Sequence, residues 1–208
     1  MKLFFGCAVL VATLTVKAQT SEALLNYSPN AGGYANGTAG WTFQPLTDIS
    51  VTALGCLNYS LTNSGAQPIE VGLWAANGTL LASNTITTDS LSLDISHYEF
   101  ITPVMLASNQ LYYLGAFAPS GAMDITAYDP QSRIVLGSAT MSPEIQLGAG
   151  AHSSSMDFSF PDTVFDSPGS AIFAPNFEYE PTPVPEPSTF CLLAGASFIL
   201  MTANRRRK

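Results

Sequence analysis

Short apolar runs recur along the chain between residues 19 and 180, separated by Gly, Pro, Ser, Thr and Asn. This is the spacing of an all-β domain, in which each strand turns one face toward a core. No stretch keeps a helical period. Trp41-Thr42-Phe43 and residues 49–55 alternate large with small or polar side chains, as half-buried strands do. The sharpest local signal is Asn77-Gly78 between the runs 69–76 and 79–86. Asn-Gly accepts the positive φ values of a tight two-residue turn, so the runs are predicted to pair as an antiparallel hairpin.

Further strands are expected at residues 97–101, 110–117, 124–128 and 133–136, and near 171–173. Pro103 suits a bend or an edge, because it brings no N–H to a ladder. Residues 148–169, rich in Ser, Asp, Gly and Pro, read as a long loop, with Met156-Asp157-Phe158-Ser159-Phe160 as one more candidate strand. Residues 178–187 read as a linker. The expected fold is an all-β antiparallel β-sandwich, jelly-roll or Ig-like, over residues 19–180.

Charge changes the picture through its placement. The net charge is -8, and the seven basic residues are Lys2, Lys17, Arg133, Arg205, Arg206, Arg207 and Lys208. Only Arg133 lies in the β-rich part, while the acids run from Glu22 to Glu186. Such a domain repels phosphates, so nucleic acid is excluded as a partner. Of the three cysteines, Cys7 and Cys191 fall in apolar end segments. Cys56 is therefore expected to be a small core residue without a disulfide partner in the domain.

The two ends carry separate patterns. Residues 1–18 hold Lys2, an apolar run and small residues before Gln19, which is the layout of a secretory signal peptide cut between Ala18 and Gln19. Residues 181–208 hold Val184-Pro185-Glu186-Pro187-Ser188, then an apolar run at 190–201, then Arg205-Arg206-Arg207-Lys208. Prolines keep the first part extended. The run, extended to about residues 189–203, makes a short transmembrane helix, below the ~20 residues that span a bilayer comfortably. The basic tail at 204–208 orients it, cytoplasmic side inward. The expected arrangement is a signal helix, a β-domain outside the membrane, and a short C-terminal anchor.

These C-terminal residues resemble the PEP-CTERM sorting signal of Gram-negative bacteria, with all three parts in order. The resemblance implies Sec export, an inner-membrane intermediate, and recognition and cleavage by an exosortase, a membrane-embedded cysteine transpeptidase-like enzyme. It also implies release to the envelope or surface of cells that commonly make exopolysaccharide, itself a possible partner. A second resemblance rests on Val51-Thr52-Ala53-Leu54-Gly55, Val71-Gly72-Leu73-Trp74, residues 78–83, Phe100 with Pro103-Val104, and residues 112–116. Over residues 41–117 the chain looks like an uncharacterised β-sandwich domain of extracellular bacterial proteins, which brings a fold but no chemistry.

Catalytic signals are sparse. His97 alternates with Tyr98 and Phe100 on a strand, as a structural histidine does. His152 precedes Ser153-Ser154-Ser155, but no Gly-x-Ser-x-Gly elbow is present. No catalytic residue, cofactor or metal is therefore expected, and the leading reading is a non-catalytic envelope or matrix protein. The alternative is a surface module for carbohydrate or Ca²⁺. Asp124 and Asp129, or Asp157, Asp162 and Asp166, could offer oxygen ligands, although solvated loop acids are the simpler account. Trp74, Tyr112 and Tyr113 could stack on sugar rings if exposed, and form core if not. Asn26, Asn36, Asn58 and Asn77 begin Asn-x-Ser/Thr triplets; Asn77 is better explained by its turn.

Overall fold

The computed structural model describes residues 20–27, 32–35, 37–63, 67–118, 123–127, 139–164 and 172–182. In chain order the first strands are β1 (Ser21–Glu22), β2 (Leu24–Tyr27), β3 (Gly32–Ala35), β4 (Ala39–Pro45) and β5 (Ile49–Leu57). A single turn of helix, α1 (Asn58–Asn63), precedes β6 (Ile69–Ala75), β7 (Leu80–Ile86), β8 (Leu91–Leu93), β9 (Ser96–Leu106) and β10 (Tyr112–Phe117). The chain continues through β11 (Met123–Ala127), β12 (Ala139–Met141), β13 (Ile145–His152), β14 (Thr163–Val164), β15 (Ile172–Phe173) and β16 (Pro175–Pro181). The fold is all-β, and every strand pairing among the described residues is antiparallel.

Two large sheets carry the architecture, in the spatial orders β1-β16-β5-β9-β8 and β14-β13-β4-β10-β6-β7. Their facing sides share one apolar core, because alternation along each strand sends one set of side chains inward. Phe177 of β16 meets Phe43 and Trp41 of β4, with ring centroids 4.9 Å and 6.0 Å apart. The Trp41 indole N–H, which needs a partner once buried, donates to the Pro175 carbonyl at 3.0 Å. Cys56 lies in this core as a free thiol, and burial pushes its pKa upward, so it packs as a hydrophobe rather than reacting.

The predicted hairpin forms between β6 and β7, but its loop is one residue longer than expected. Gly78 N–H donates to the Ala75 carbonyl and Ala75 N–H to the Thr79 carbonyl, both at 3.0 Å, so Ala76, Asn77 and Gly78 make the connection. Only Gly78 takes a positive φ, +83°, while the Asn77 side chain accepts from Thr79 N–H at 3.1 Å. A turn followed by a left-handed glycine is the usual build of a three-residue loop.

Three further differences concern where strands lie. Residues 148–152, read as loop, continue β13 against β4, with a register shift between Leu147 and Gly150. The Thr42 hydroxyl supports that shift, accepting from Ala149 N–H at 2.8 Å. Residues 178–181, read as linker, belong to β16, and Phe177 and Tyr179 are fully buried. The strand expected at 97–101 extends to Leu106 as β9, and Pro103 sits within it at a bend on an edge, as expected: the pairing with β5 skips between Val51 and Ala53, and β8 pairs with β9 only at residues 96–98. The expected strand at 133–136 lies outside the described residues.

Among the described residues no helix is long and apolar enough to cross a membrane. Residues 1–19 and 183–208 lie outside the described residues. That range contains Ala18 and Gln19 of the expected signal cleavage, the motif Val184, Pro185, Glu186, Pro187 and Ser188, the short apolar run, and the tail Arg205, Arg206, Arg207 and Lys208.

Candidate functional site

The residues singled out for chemistry are mostly committed to structure. His97 sits half-buried in β9 with Nδ1 3.0 Å from the Ser90 carbonyl, and so ties β9 to the turn before β8. Ser153 is buried, shares a 2.8 Å hydrogen bond with the Ser159 hydroxyl and accepts from Ser155 N–H. Those contacts organise the loop after β13. His152 is half-buried at the end of β13, opposite Thr163. Asp157 and Asp162 are exposed on the same loop, Asp129 and Asp166 lie outside the described residues, and Asp124 falls in β11. Among the described residues no three His, Cys, Asp or Glu side chains come together as a metal site.

Of the aromatics considered for sugar stacking, Trp74 and Tyr112 are buried and Tyr113 is half-buried. Trp74 (3% exposed) lies on the outer face of the six-stranded sheet, beneath the loop of residues 153–162. Phe158 meets it at 5.2 Å between centroids and Phe160 at 6.4 Å, while Phe160 also meets the half-buried Tyr113 edge-on at 4.8 Å. Gly72 makes this second, smaller core possible: a Cβ there would stand 2.4 Å from the Trp74 ring and 2.6 Å from Phe158. Tyr112 points the other way, against Phe43 at 5.8 Å, and its hydroxyl accepts from Ala107 N–H.

Among the described residues, two surface concavities stand out. One is a recess of about 480 Å³ between β1, the β8–β9 turn and the segment before β13, lined in part by Glu22, Asp94, Ser142 and Glu144. The Tyr179 and Ser142 hydroxyls both donate to Glu144 Oε2, at 2.7 and 2.9 Å, and hold its carboxyl below the usual range. Glu22 is shifted the other way, chiefly by burial, and partly relieved by the Tyr98 hydroxyl. Behind it, Glu178 stands directly opposite Glu22 in the β1–β16 pairing and is likewise raised by burial. The recess presents negative charge and hydroxyls, and it disfavours anions.

The Tyr98 hydroxyl also accepts from Asn176 Nδ2 at 2.7 Å. Asn176 is fully buried and acts as a substitute peptide group: its Oδ1 accepts from Leu24 N–H at 2.9 Å, and its Nδ2 donates to the Leu24 carbonyl at 3.0 Å. One side chain thus completes the sheet where β1 gives way to β2.

The second concavity is a groove of about 450 Å³ where the edge of β7 faces β9. Leu81, Ala82, Ile101 and Val104 form part of its lining and pack against the main core. Ser83 and Thr102 are exposed, and the Asn84 amide crosses the gap to donate to the Phe100 carbonyl at 3.1 Å. Phe100 itself is 68% exposed, in contrast to Tyr98 two residues before it at 1%. Alternation in the sequence put both on one face; what separates them is that Asn176 and Glu22 cover Tyr98 and nothing described covers Phe100.

A family model described as a domain of unknown function (DUF4082) matches residues 26–168 of the chain. The chain belongs to this family. No curated protein matches the chain. The DUF4082 match takes in both walls of the groove and the aromatic cover over Trp74, and extends well beyond the residues that carried the resemblance at 41–117. It stops before β16, although β16 lies inside the five-stranded sheet, between β1 and β5. The folded unit around the DUF4082 match therefore reaches at least to Pro181.

Proposed function

We propose that the chain is a non-catalytic protein of the cell envelope or extracellular matrix of a Gram-negative bacterium. In this reading it is exported through the Sec machinery, held briefly at the inner membrane by its C-terminal segment, and processed by an exosortase. The observation that carries the reading is the three-part sequence of the tail: Val184-Pro185-Glu186-Pro187-Ser188, an apolar run, then Arg205-Arg206-Arg207-Lys208. Its parts suit extension, insertion and orientation in turn. The β-domain is the cargo, read as a jelly-roll sandwich with exopolysaccharide as its setting.

Strand order supports the jelly roll over the Ig-like alternative. Counting β1, β4, β5, β6, β7, β9, β10 and β16 as one to eight, the sheets contain the orders 1-8-3-6 and 2-7-4-5. That interleaving is what two Greek keys folded together produce. Function does not follow from it.

The test is to replace Pro185, Glu186 and Pro187 with alanine in cells and follow the protein's mass and location. The expected outcome is an unprocessed, membrane-held chain. Normal mass and normal release would overturn the sorting reading.

A further inference from the structure

We propose that the groove between β7 and β9 binds a neutral carbohydrate, with Phe100 as the stacking platform. The inference takes the envelope as its setting, but its test reads binding by purified protein, so it and the sorting reading fail separately.

The lining selects the ligand class. None of Leu81, Ala82, Ser83, Asn84 or the five residues from Phe100 to Val104 is charged. A charged ligand would lose hydration there without gaining a partner, and the chain's net charge of -8 further disfavours anions. What the groove offers is one exposed aromatic face beside two exposed hydroxyls, Ser83 and Thr102, and an amide. An aromatic face takes the C–H surface of a sugar ring, while hydroxyls and an amide take its O–H groups. Asn84 is held in place by the Phe100 carbonyl and by Thr85 N–H at 2.8 Å, yet keeps a second Nδ2 hydrogen and a second Oδ1 lone pair for a ligand. The volume lies within the range of small-molecule sites.

An added peptide strand, the other occupant of a sheet edge, fits less well. Strand addition needs a free backbone ladder. Here the Phe100 carbonyl is already taken by Asn84, Pro103 has no N–H, and β9 is irregular between Phe100 and Val104. Recognition through side chains is what this edge retains.

The full chain, purified in mild detergent, can be run in native gels containing dextran, galactomannan, xyloglucan or alginate. Retardation by at least one of the three neutral polymers is expected. Phe100→Ala should weaken it about three- to tenfold, the worth of one aromatic contact. Phe100→Trp should preserve it. Ser83→Asp, at an exposed position, should abolish it by placing a charge in the lining, with an unchanged melting temperature showing that the fold is intact. No retardation by any neutral polymer, retardation by alginate alone, or retardation indifferent to both Phe100→Ala and Ser83→Asp would each overturn the proposal.

Discussion

The outer faces of the two large sheets are closed by opposite means. On the six-stranded sheet, aromatic residues and glycine make an apolar surface, and the loop after β13 lays Phe158 and Phe160 over Trp74. On the five-stranded sheet, the closure is polar: Tyr98 bonds Asn176 and Glu22, Asn176 bonds the Leu24 backbone, and Glu178 stands opposite Glu22 in the strand pairing. The first closure draws on apolar burial and tolerates imperfect geometry. The second draws on hydrogen bonds whose loss leaves buried groups unpaired, so each member matters more than its area suggests.

The comparison breaks first at Asn176. Asn176→Leu keeps the volume but strands Leu24 N–H and C=O, and should destabilise the protein by about 3 kcal/mol or more in urea unfolding. A loss under about 1 kcal/mol would mean that this face is held by area after all.

A smaller effect is expected on the apolar side. Phe158→Ala should cost about 2–3 kcal/mol, somewhat less than a fully buried phenylalanine because Phe158 is only half covered. Phe100→Ala, on the open groove, should cost less than about 0.5 kcal/mol in the same assay. Equal losses would make Phe100 a core residue and erase the distinction between covered and open aromatics.

The smallest effects sharpen the polar side by their sign. Burial raises the Glu22 pKa, so the stability its neutral form contributes is complete below the unfolded pKa and is lost as pH rises through the folded one. Glu22→Gln should therefore raise the melting temperature at pH 7, with the two proteins converging near about pH 4. The Glu144 pKa is lowered by the Tyr179 and Ser142 hydroxyls, so its contribution is present above the unfolded pKa and lost on acidification. Glu144→Gln should lower the melting temperature at pH 7, and again the difference should close in acid. Shifts of the same sign at pH 7 would contradict the two environments.

Much of the fold is legible in the sequence where alternation meets turn chemistry, as in the β6–β7 hairpin and β10. It fails where small or charged residues occupy strands. Gly148-Ala149-Gly150-Ala151 looks like a loop because small side chains carry no alternation, yet their smallness lets β13 lie against Thr42 and Trp41. Asn176-Phe177-Glu178-Tyr179-Glu180 does alternate, but Glu and Pro are depleted in strands and the nearby prolines disguise β16 as a linker. For the candidate site, the sequence offers aromatics without saying which are covered. Trp74 is covered by a loop some eighty residues away along the chain, and Phe100 is left open by the placement of Asn176. Such long-range covering has no local signature.

The position of β16 also decides when the five-stranded sheet can close. It lies between β1, the first strand of the described residues, and β5, so the five-stranded sheet has a gap between those two until the chain has emerged as far as Pro181. Until then the inner faces of Trp41 and Phe43 lack Phe177, and the edge of β5 stands unpaired. A nascent chain is thus kept from closing its five-stranded sheet by topology alone, since the pairing of β16 with β5 joins residues far apart in sequence. The last strand works as a latch: the core and the five-stranded sheet close together only once that strand has docked.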